Sequence, residues 1–297
     1  MQHILKAKSL ILLILVALCW GPTYLFIKIA IPTIPPLTLV FLRVFIGALI
    51  LYSLCLVQKN HKFEWRKHWK HYAILGFSLN ALPFFLVSYG ELYVSSSLTG
   101  ILNSPTLIFT AILAHYFGSH ESFTKNKIIG ISSGILGLCV IYLPIVFQQK
   151  VEVGIGGLMI IAACLSYASG TVYARAHLHK LTGITVLTAQ LIFASALLLP
   201  FVLFFDRPFS LPFPPTEAII GAIGLGVIGT ATGFFLYYKS IQLAGATYAS
   251  LSLLIVPIIA IILGALILQE KITWNLYLGT LFIIAGVLRI NPAFKKI

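Results

Sequence analysis

Ten apolar stretches follow one another along the chain, and this feature limits the possible fold more than any other. A transmembrane helix needs about 20 apolar residues. Stretches near that length lie at 8–30, 36–57, 71–91, 94–117, 126–146, 154–176, 183–205, 217–239, 244–268 and 273–291. With 59% hydrophobic and 9% charged residues, against about 25% charged in soluble domains, the chain needs lipid to cover its surface. The pattern predicts an all-α integral membrane protein with ten transmembrane helices.

The positive charges fall unevenly on the two sides of this predicted topology. Of the 20 Lys and Arg residues, fifteen lie on the side of the N-terminus. Four lie on the other side (Lys28, Lys150, Arg207 and Lys271), and Arg43 lies inside the second stretch. Because positively charged loops stay in the cytoplasm, we expect both termini to be cytoplasmic. The same rule explains the net charge of +13 without a nucleic-acid partner.

Catalytic and metal-binding patterns are missing from the sequence. The four cysteines fall in apolar stretches and form no CxxC pair. His68 and His71 lie in a basic loop (58–72) without other ligands nearby, so we interpret that loop as a membrane-surface anchor. No GxxxxGK[ST] loop occurs. We therefore expect no metal, no cofactor and no enzymatic activity.

The two halves of the chain resemble each other. The segment ALCWGPTYLFIK (17–28) aligns with ACLSYASGTVYAR (163–175), and residues 91–113 align with 241–263. Each half holds five predicted spans, an odd number, so the second half would be inverted relative to the first. We predict two repeats, 8–146 and 154–291. Inverted repeats are typical of secondary transporters, whose substrate site lies between the halves near the midplane.

Several motifs carry a resemblance to a known family. They are WGPTYLFIK (20–28), Arg43 near the start of the second span, IIAGV (283–287), and the paired motifs Glu121-x-x-Thr124 and Glu270-x-x-Thr273. In their order and spacing they resemble the EamA-type ten-helix permeases of the drug/metabolite transporter superfamily. The resemblance implies a multi-pass carrier of the bacterial inner membrane, often an exporter of amino acids or related metabolites. It also implies coupling to an ion gradient or to exchange.

The sequence departs from that family in two places. The second repeat has Ser166 and Tyr167 where Trp-Gly is expected, and Pro105 lies two residues earlier than the usual proline. A substrate cannot be transferred from any one relative on this basis.

Polar and aromatic residues inside the spans are the candidates for a substrate cavity. Arg43 is costly in the membrane, so it either receives a substrate carboxylate or forms a structural tie, for example to Glu91. Trp20 and Tyr24 are one helical turn apart and would share a face. The candidate cavity residues are Trp20, Tyr24, Arg43, Asn80, Asn103, Tyr167, Gln190, Tyr237 and Tyr248.

Glycine and proline residues within the spans predict bends. Helix breaks near mid-membrane expose backbone polar groups to a cavity, and small residues permit close helix contact. The candidate bend positions are Gly21, Pro22, Pro105, Gly229, Gly233 and Pro257.

Together these features predict a secondary transporter of small organic solutes that works by alternating access, with export of amino acids, metabolites or drugs as the expected direction. The alternative is a non-enzymatic membrane sensor or assembly subunit. Lys28 and Glu91 are interpreted as interfacial, so no carboxylate for proton relay is predicted. Coupling to protons or to a counter-substrate both stay open, and the oligomeric state is not predicted.

Overall fold

The computed structural model describes residues 2–57, 63–117, 124–147, 151–177, 183–244, 249–250 and 252–290, and its regular structure in these ranges is helical. The α-helices, in chain order, are α1 (Gln2–Trp20), α2 (Thr23–Ala30), α3 (Pro36–Val57), α4 (Trp65–Leu75), α5 (Leu82–Gly90), α6 (Ser96–Leu102), α7 (Thr106–Phe117), α8 (Lys125–Phe147), α9 (Val151–His177), α10 (Gly183–Phe201), α11 (Thr216–Gly224), α12 (Gly233–Ala244), α13 (Ser252–Ile267) and α14 (Trp274–Ile290).

Among the described residues, seven helical stretches are long and apolar enough to cross a membrane: Lys8–Ala30, Pro36–Val57, Trp65–Gly90, Ser96–Phe117, Val151–His177, Gly183–Ser210 and Thr216–Ala244. They lie where the first to fourth and the sixth to eighth spans are predicted. Three further apolar helices are shorter, namely Ile128–Pro144, Ser252–Ile267 and Trp274–Arg289. They occupy the fifth, ninth and tenth predicted positions, although part of the ninth lies outside the described residues.

The third span begins earlier than the sequence predicts. Helix α4 starts at Trp65, and the main-chain oxygen of Glu64 accepts hydrogen bonds from the amides of Lys67 (3.1 Å) and His68 (3.0 Å). The predicted anchor loop is therefore helical from Trp65 onward. His68 and His71 lie on the first turns of this helix rather than in a loop.

Breaks in the helices coincide with several of the predicted bend positions. Gly21 and Pro22 separate α1 from α2, since the Pro22 nitrogen has no hydrogen to donate. Pro105 is the last residue of the break between α6 and α7. Pro257, in contrast, lies inside α13, which stays helical through it.

Of the three π-helical segments in the described part of the chain, two occupy corresponding places in the two halves. They are Gly76–Ala81, between α4 and α5, and Leu225–Thr232, between α11 and α12, and they begin 149 residues apart. The third, Val202–Asp206, continues α10. Gly229 lies within the second segment, and Gly233 starts the helix that follows it. A π-segment takes carbonyl groups out of the α-helical hydrogen-bond ladder and is frequent at functional sites.

Helices from different halves pack as antiparallel pairs. Thr38 on α3 lies beside Asp206 beyond α10, while Cys55 at the other end of α3 lies beside Thr188. Helix α9 runs against α5, α4 and the intervening π-segment, and α1 and α2 run against α12 and α11. Helices α8 and α14 form a further interface, in which a Cβ at Gly137 would lie 2.6 Å from the Gly279 carbonyl oxygen.

These pairings define two ends of the bundle. At one end, which we call the Glu91 end, lie Lys28, Glu91, Ser96, Asp206 and Glu270. At the other, the His71 end, lie Cys55, His71, Tyr173, His177 and Thr188. The candidate cavity residues that the structure describes lie between the two ends.

Candidate functional site

Arg43 lies inside the bundle and joins α3 to the π-segment Leu225–Thr232. Its Nε atom donates a hydrogen bond to Oγ1 of Thr230 (3.0 Å), and its guanidinium carbon lies 3.7 Å from the centroid of the Phe84 ring. Only 7% of Arg43 is exposed. The aromatic face and the hydroxyl offset part of the cost of burying the charge.

Tyrosines from both halves surround this cation. Tyr24 and Tyr167 are near enough to interact with its charge, and the Tyr167 ring meets the Phe84 ring at 6.2 Å between centroids, edge to face. Asn103, at the break between α6 and α7, donates from Nδ2 to the Tyr24 hydroxyl (2.8 Å). We call Tyr24, Arg43, Phe84, Asn103, Tyr167 and Thr230 the central cluster.

Trp20 extends the aromatic surface toward the His71 end. Its ring lies 5.0 Å from that of Tyr237 and 6.0 Å from that of Phe234. A Cβ added at Gly233 would lie 2.6 Å from the indole nitrogen of Trp20. Gly233 is therefore required for the close approach of α12 to α1.

The remaining predicted cavity residues lie in different surroundings. Asn80 is fully buried, and its side chain donates to the Leu75 carbonyl oxygen (3.4 Å). Gln190 on α10 is 3% exposed, at the contact with the π-segment Gly76–Ala81. Tyr248 lies outside the described residues. The structure thus brings Tyr24, Arg43, Asn103 and Tyr167 together, with Trp20 and Tyr237 adjacent to each other.

The Glu91 end is closed by Lys28. Its ammonium group donates to the main-chain oxygens of Glu91 (2.6 Å) and Val94 (2.8 Å), which fastens α2 to the connection between α5 and α6. Lys28 is half-buried, and its head group acts as an internal tie between these two segments. The prediction of an interfacial Glu91 is wrong, since this side chain has no exposed surface.

Glu270 closes the same end from the second half. Its carboxylate accepts hydrogen bonds from the amides of Ser96 (2.7 Å) and Ser97 (2.9 Å) and from the Ser97 hydroxyl (2.5 Å). These amides belong to the first turn of α6, where a helix has unpaired N–H groups and favours a negative charge. The partner motif residue Glu121 lies outside the described residues.

At the His71 end, aromatic rings of α4 and α9 stack on one another. The His71 Nδ1 atom shares a hydrogen bond with the Tyr173 hydroxyl (2.8 Å), and the His71 and His177 rings lie 5.3 Å apart. Within the described part of the chain, no group of three or more His, Cys, Asp or Glu residues is arranged to hold a metal ion.

An apolar groove lies elsewhere, between α3 and α10. It has a volume of about 300 Å³, and its walls include Phe41, Tyr52 and Ile192. Arg43 and Tyr24 do not line it. The central cluster is therefore separate from this groove.

Sequence reasoning did not find every residue of the central cluster. Thr230 and Phe84 were missed, because a threonine and a phenylalanine inside apolar stretches give no signal of their own. The alignment of the halves, at a spacing of 150, would have placed Thr230 opposite Asn80. For Phe84 the sequence offers no comparable signal.

A family model describes almost the whole chain. The model of the EamA-like transporter family matches residues 7–143 and 154–291. The matches cover the two halves separately, one copy in each.

Individual relatives agree with this match. The chain is 28% identical to the uncharacterized transporter YoaV of Bacillus subtilis over 97% of this chain and 98% of that protein. It is 28% identical to the protein PagO of Salmonella typhimurium over 95% of this chain and 92% of that protein. A solved crystal structure covers 98% of this chain with a TM-score of 0.68 and 15% identity, which is a likeness of fold alone.

Proposed function

This chain belongs to the EamA-like transporter family, and from this premise we propose that it is a secondary transporter that moves small organic solutes by alternating access. It is a multi-pass membrane protein and a transporter rather than an enzyme. The proposal extends this to ten transmembrane helices in two inverted repeats, with residues 8–146 and 154–291 as the repeating units.

The observation that carries the proposal is a pair of equivalent π-segments. Gly76–Ala81 and Leu225–Thr232 begin 149 residues apart. Asn80 and Thr230 donate to carbonyl oxygens five residues earlier in their respective halves. Two halves with the same irregularity support an inverted repeat, since a random pair of helices would not share it. Two similar halves could exchange their conformations, and this would give the two states of comparable energy that alternating access requires.

The helix pairs agree with such a repeat. Helix α3 packs on the π-segment Leu225–Thr232, and its counterpart α10 packs on Gly76–Ala81. Helices α3 and α10 pack on each other, as do α8 and α14. These helix contacts therefore occur in equivalent pairs.

The central cluster favours solutes that carry a carboxylate. Arg43 supplies the cation, and the Nη groups of arginine form the fork that binds a carboxylate in two places. Its Nε hydrogen is already bound to Thr230. The hydroxyls and the amide around it would serve the polar part of an amino acid, and the aromatic rings of Trp20 and Tyr237 would serve an apolar part. We propose an amino-acid-like metabolite as substrate and export as the direction.

The positive charges support the proposed orientation. Fifteen Lys and Arg residues lie on the side of the N-terminus in the ten-span topology, which supports cytoplasmic termini in a bacterial inner membrane. The Glu91 end would then face outward, and the structure would be the outward-closed state.

A metabolite comparison tests the proposal. Cells that overexpress the wild type, Arg43→Ala or Arg43→Lys are compared with empty-vector cells, with solutes measured inside and outside. We expect one class of carboxylated solutes to accumulate in the medium with the wild type, and this excess to be lost with Arg43→Ala. Thr232→Val is the control and should keep the excess of solute in the medium. Thr232 is exposed and lies in the same π-segment as Thr230, which contacts Arg43.

The outcomes separate the alternatives, provided that membrane levels of all variants are equal by immunoblot. Accumulation inside rather than outside the cells would make the protein an importer. No difference between wild type and empty vector under several nutrient conditions would count against transport and favour a non-enzymatic sensor or assembly subunit.

A further inference from the structure

Glu91 is the one carboxyl group of the described residues that is fully buried without a hydrogen-bond donor. Its exposed surface is zero, and neither Oε atom has a hydrogen-bond partner. Thr99 is close to it, but the Thr99 hydroxyl donates to the Ser95 carbonyl oxygen (2.9 Å). A buried ionised carboxylate without donors is very unstable, whereas the neutral acid is tolerated.

The charged neighbours of Glu91 do not replace the missing donors. Tyr24, Lys28, Arg43 and Glu270 are near enough to act on it electrostatically. The Lys28 ammonium donates to main-chain oxygens, and no nitrogen of Lys28 or Arg43 lies within 4.0 Å of the Glu91 carboxylate among the described ion pairs. Glu270 is itself an anion held by three donors, so it opposes a second negative charge.

We infer that Glu91 is a proton-binding site of the transporter, which holds its proton while the Glu91 end is closed and releases it when that end opens. The inference rests on the proposed function, because opening of this end is a step of alternating access. The chemistry is a single transfer: the O–H bond of the Glu91 acid breaks, and water takes the proton. Opening of this end would then be coupled to release of the proton.

The closing contacts explain why opening would release the proton. The Lys28 ammonium is hydrogen-bonded to the carbonyl groups of Glu91 and Val94, and the Glu270 carboxylate is hydrogen-bonded to the first turn of α6. When these contacts separate, water reaches the Glu91 carboxyl and stabilises its ionised form. A buried acid binds a proton more tightly than a hydrated acid. Proton binding therefore favours the closed state by the same factor.

Infrared spectroscopy of the purified full-length protein tests whether Glu91 holds a proton. We expect the C=O stretch of a protonated carboxylic acid at neutral pH in the wild type. The band should be lost in Glu91→Gln and kept in Glu217→Gln, an exposed carboxylate. Because the chain has six Glu and one Asp residue, labelling Glu with ¹³C should also shift the band, and this needs no variant. A band unchanged by label and substitution, or no band in the wild type, would overturn the site.

Hydrogen exchange tests whether the proton is coupled to opening. Amide exchange across residues 91–97 is compared between wild type and Glu91→Gln at the same pH, so that the chemical exchange rate cancels. Above the range in which a hydrated carboxyl ionises, near pH 4.3, the ratio of wild-type to variant exchange should rise by up to about tenfold per pH unit. It should level off once the closed form also ionises. A ratio of one at every pH would overturn the coupling.

The infrared and hydrogen-exchange measurements use no solute, so they can refute the proton site independently of the transport proposal. If the infrared and exchange results are as expected but no solute moves in the metabolite comparison, the transport proposal fails and the proton site stands. If a solute moves but the infrared band is absent, the transport proposal stands and the proton site at Glu91 fails.

Discussion

Asn80 and Thr230 make the same hydrogen bond in opposite halves of the protein. Asn80 Nδ2 donates to the Leu75 carbonyl oxygen (3.4 Å), and Thr230 Oγ1 donates to the Leu225 carbonyl oxygen (2.9 Å). Each thereby satisfies a carbonyl group at the start of its π-segment. Thr230 has a second role, because its hydroxyl also accepts the Nε–H of Arg43.

The first prediction concerns this second role. Thr230→Val keeps the shape of the side chain but removes both hydrogen bonds, which leaves a buried arginine donor unpaired. We expect a loss of roughly 1–3 kcal/mol in the free energy of unfolding, measured as a lower thermal transition of the purified protein. Thr232→Val, at an exposed position of the same segment, should leave the transition unchanged. Equal stability of the two variants would mean that the Arg43–Thr230 bond contributes nothing.

The second prediction concerns the interface of α8 and α14. A Cβ at Gly137 would lie 2.6 Å from the Gly279 carbonyl oxygen and 3.0 Å from the Ile283 amide nitrogen. Backbone cannot move away as a flexible side chain can, so Gly137→Ala should destabilise the protein by about 1–3 kcal/mol.

Gly154→Ala is the matched control for that substitution. No atom lies within 4 Å of a Cβ added at Gly154, inside α9. Alanine is also the better helix former, so this variant should be neutral or slightly stabilised. The test compares the thermal transition temperatures of both variants with that of the wild type in the same detergent. An unchanged transition for Gly137→Ala would contradict the close packing of α8 and α14.

The third prediction concerns Glu270. Glu270→Gln removes the charge that receives the Ser96 and Ser97 amides, and hydrogen bonds to a charged group contribute roughly 1.5–3 kcal/mol. We expect faster amide exchange at the start of α6 as well as a lower thermal transition. Glu217→Gln removes an exposed carboxylate and should change neither. Faster exchange throughout the protein, rather than near α6, would argue against a local role.

The fourth prediction concerns orientation. In a variant without native cysteines, a cysteine replaces either Ser210, in the turn after α10, or Lys67, on α4; both positions are exposed. If the termini are cytoplasmic, a membrane-impermeant thiol reagent added to intact cells should label Ser210→Cys and not Lys67→Cys. Disruption of the membrane should make both positions reactive. The opposite labelling pattern would reverse the topology.

The sequence alone determined the class of the protein and the approximate position of its helices. This follows from physics that needs no tertiary contact, since an apolar stretch of membrane length must be helical to satisfy its own backbone in lipid. The seven membrane-length helices lie where such stretches occur. The breaks at Gly21, Pro22 and Pro105 were also predictable, because proline lacks the N–H that an α-helix requires.

Tertiary structure alone decided which polar residues meet. Arg43 and Thr230 are 187 positions apart, and Ser97 and Glu270 are 173 positions apart. No local pattern couples such positions. The same holds for Glu91 and Lys28, both of which the sequence places near a membrane surface. In the structure, α2 packs against the α5–α6 connection, where Glu91 is buried and Lys28 binds main-chain oxygens. Burial depends on which distant segments of the chain pack alongside, and hydropathy along one helix cannot show this.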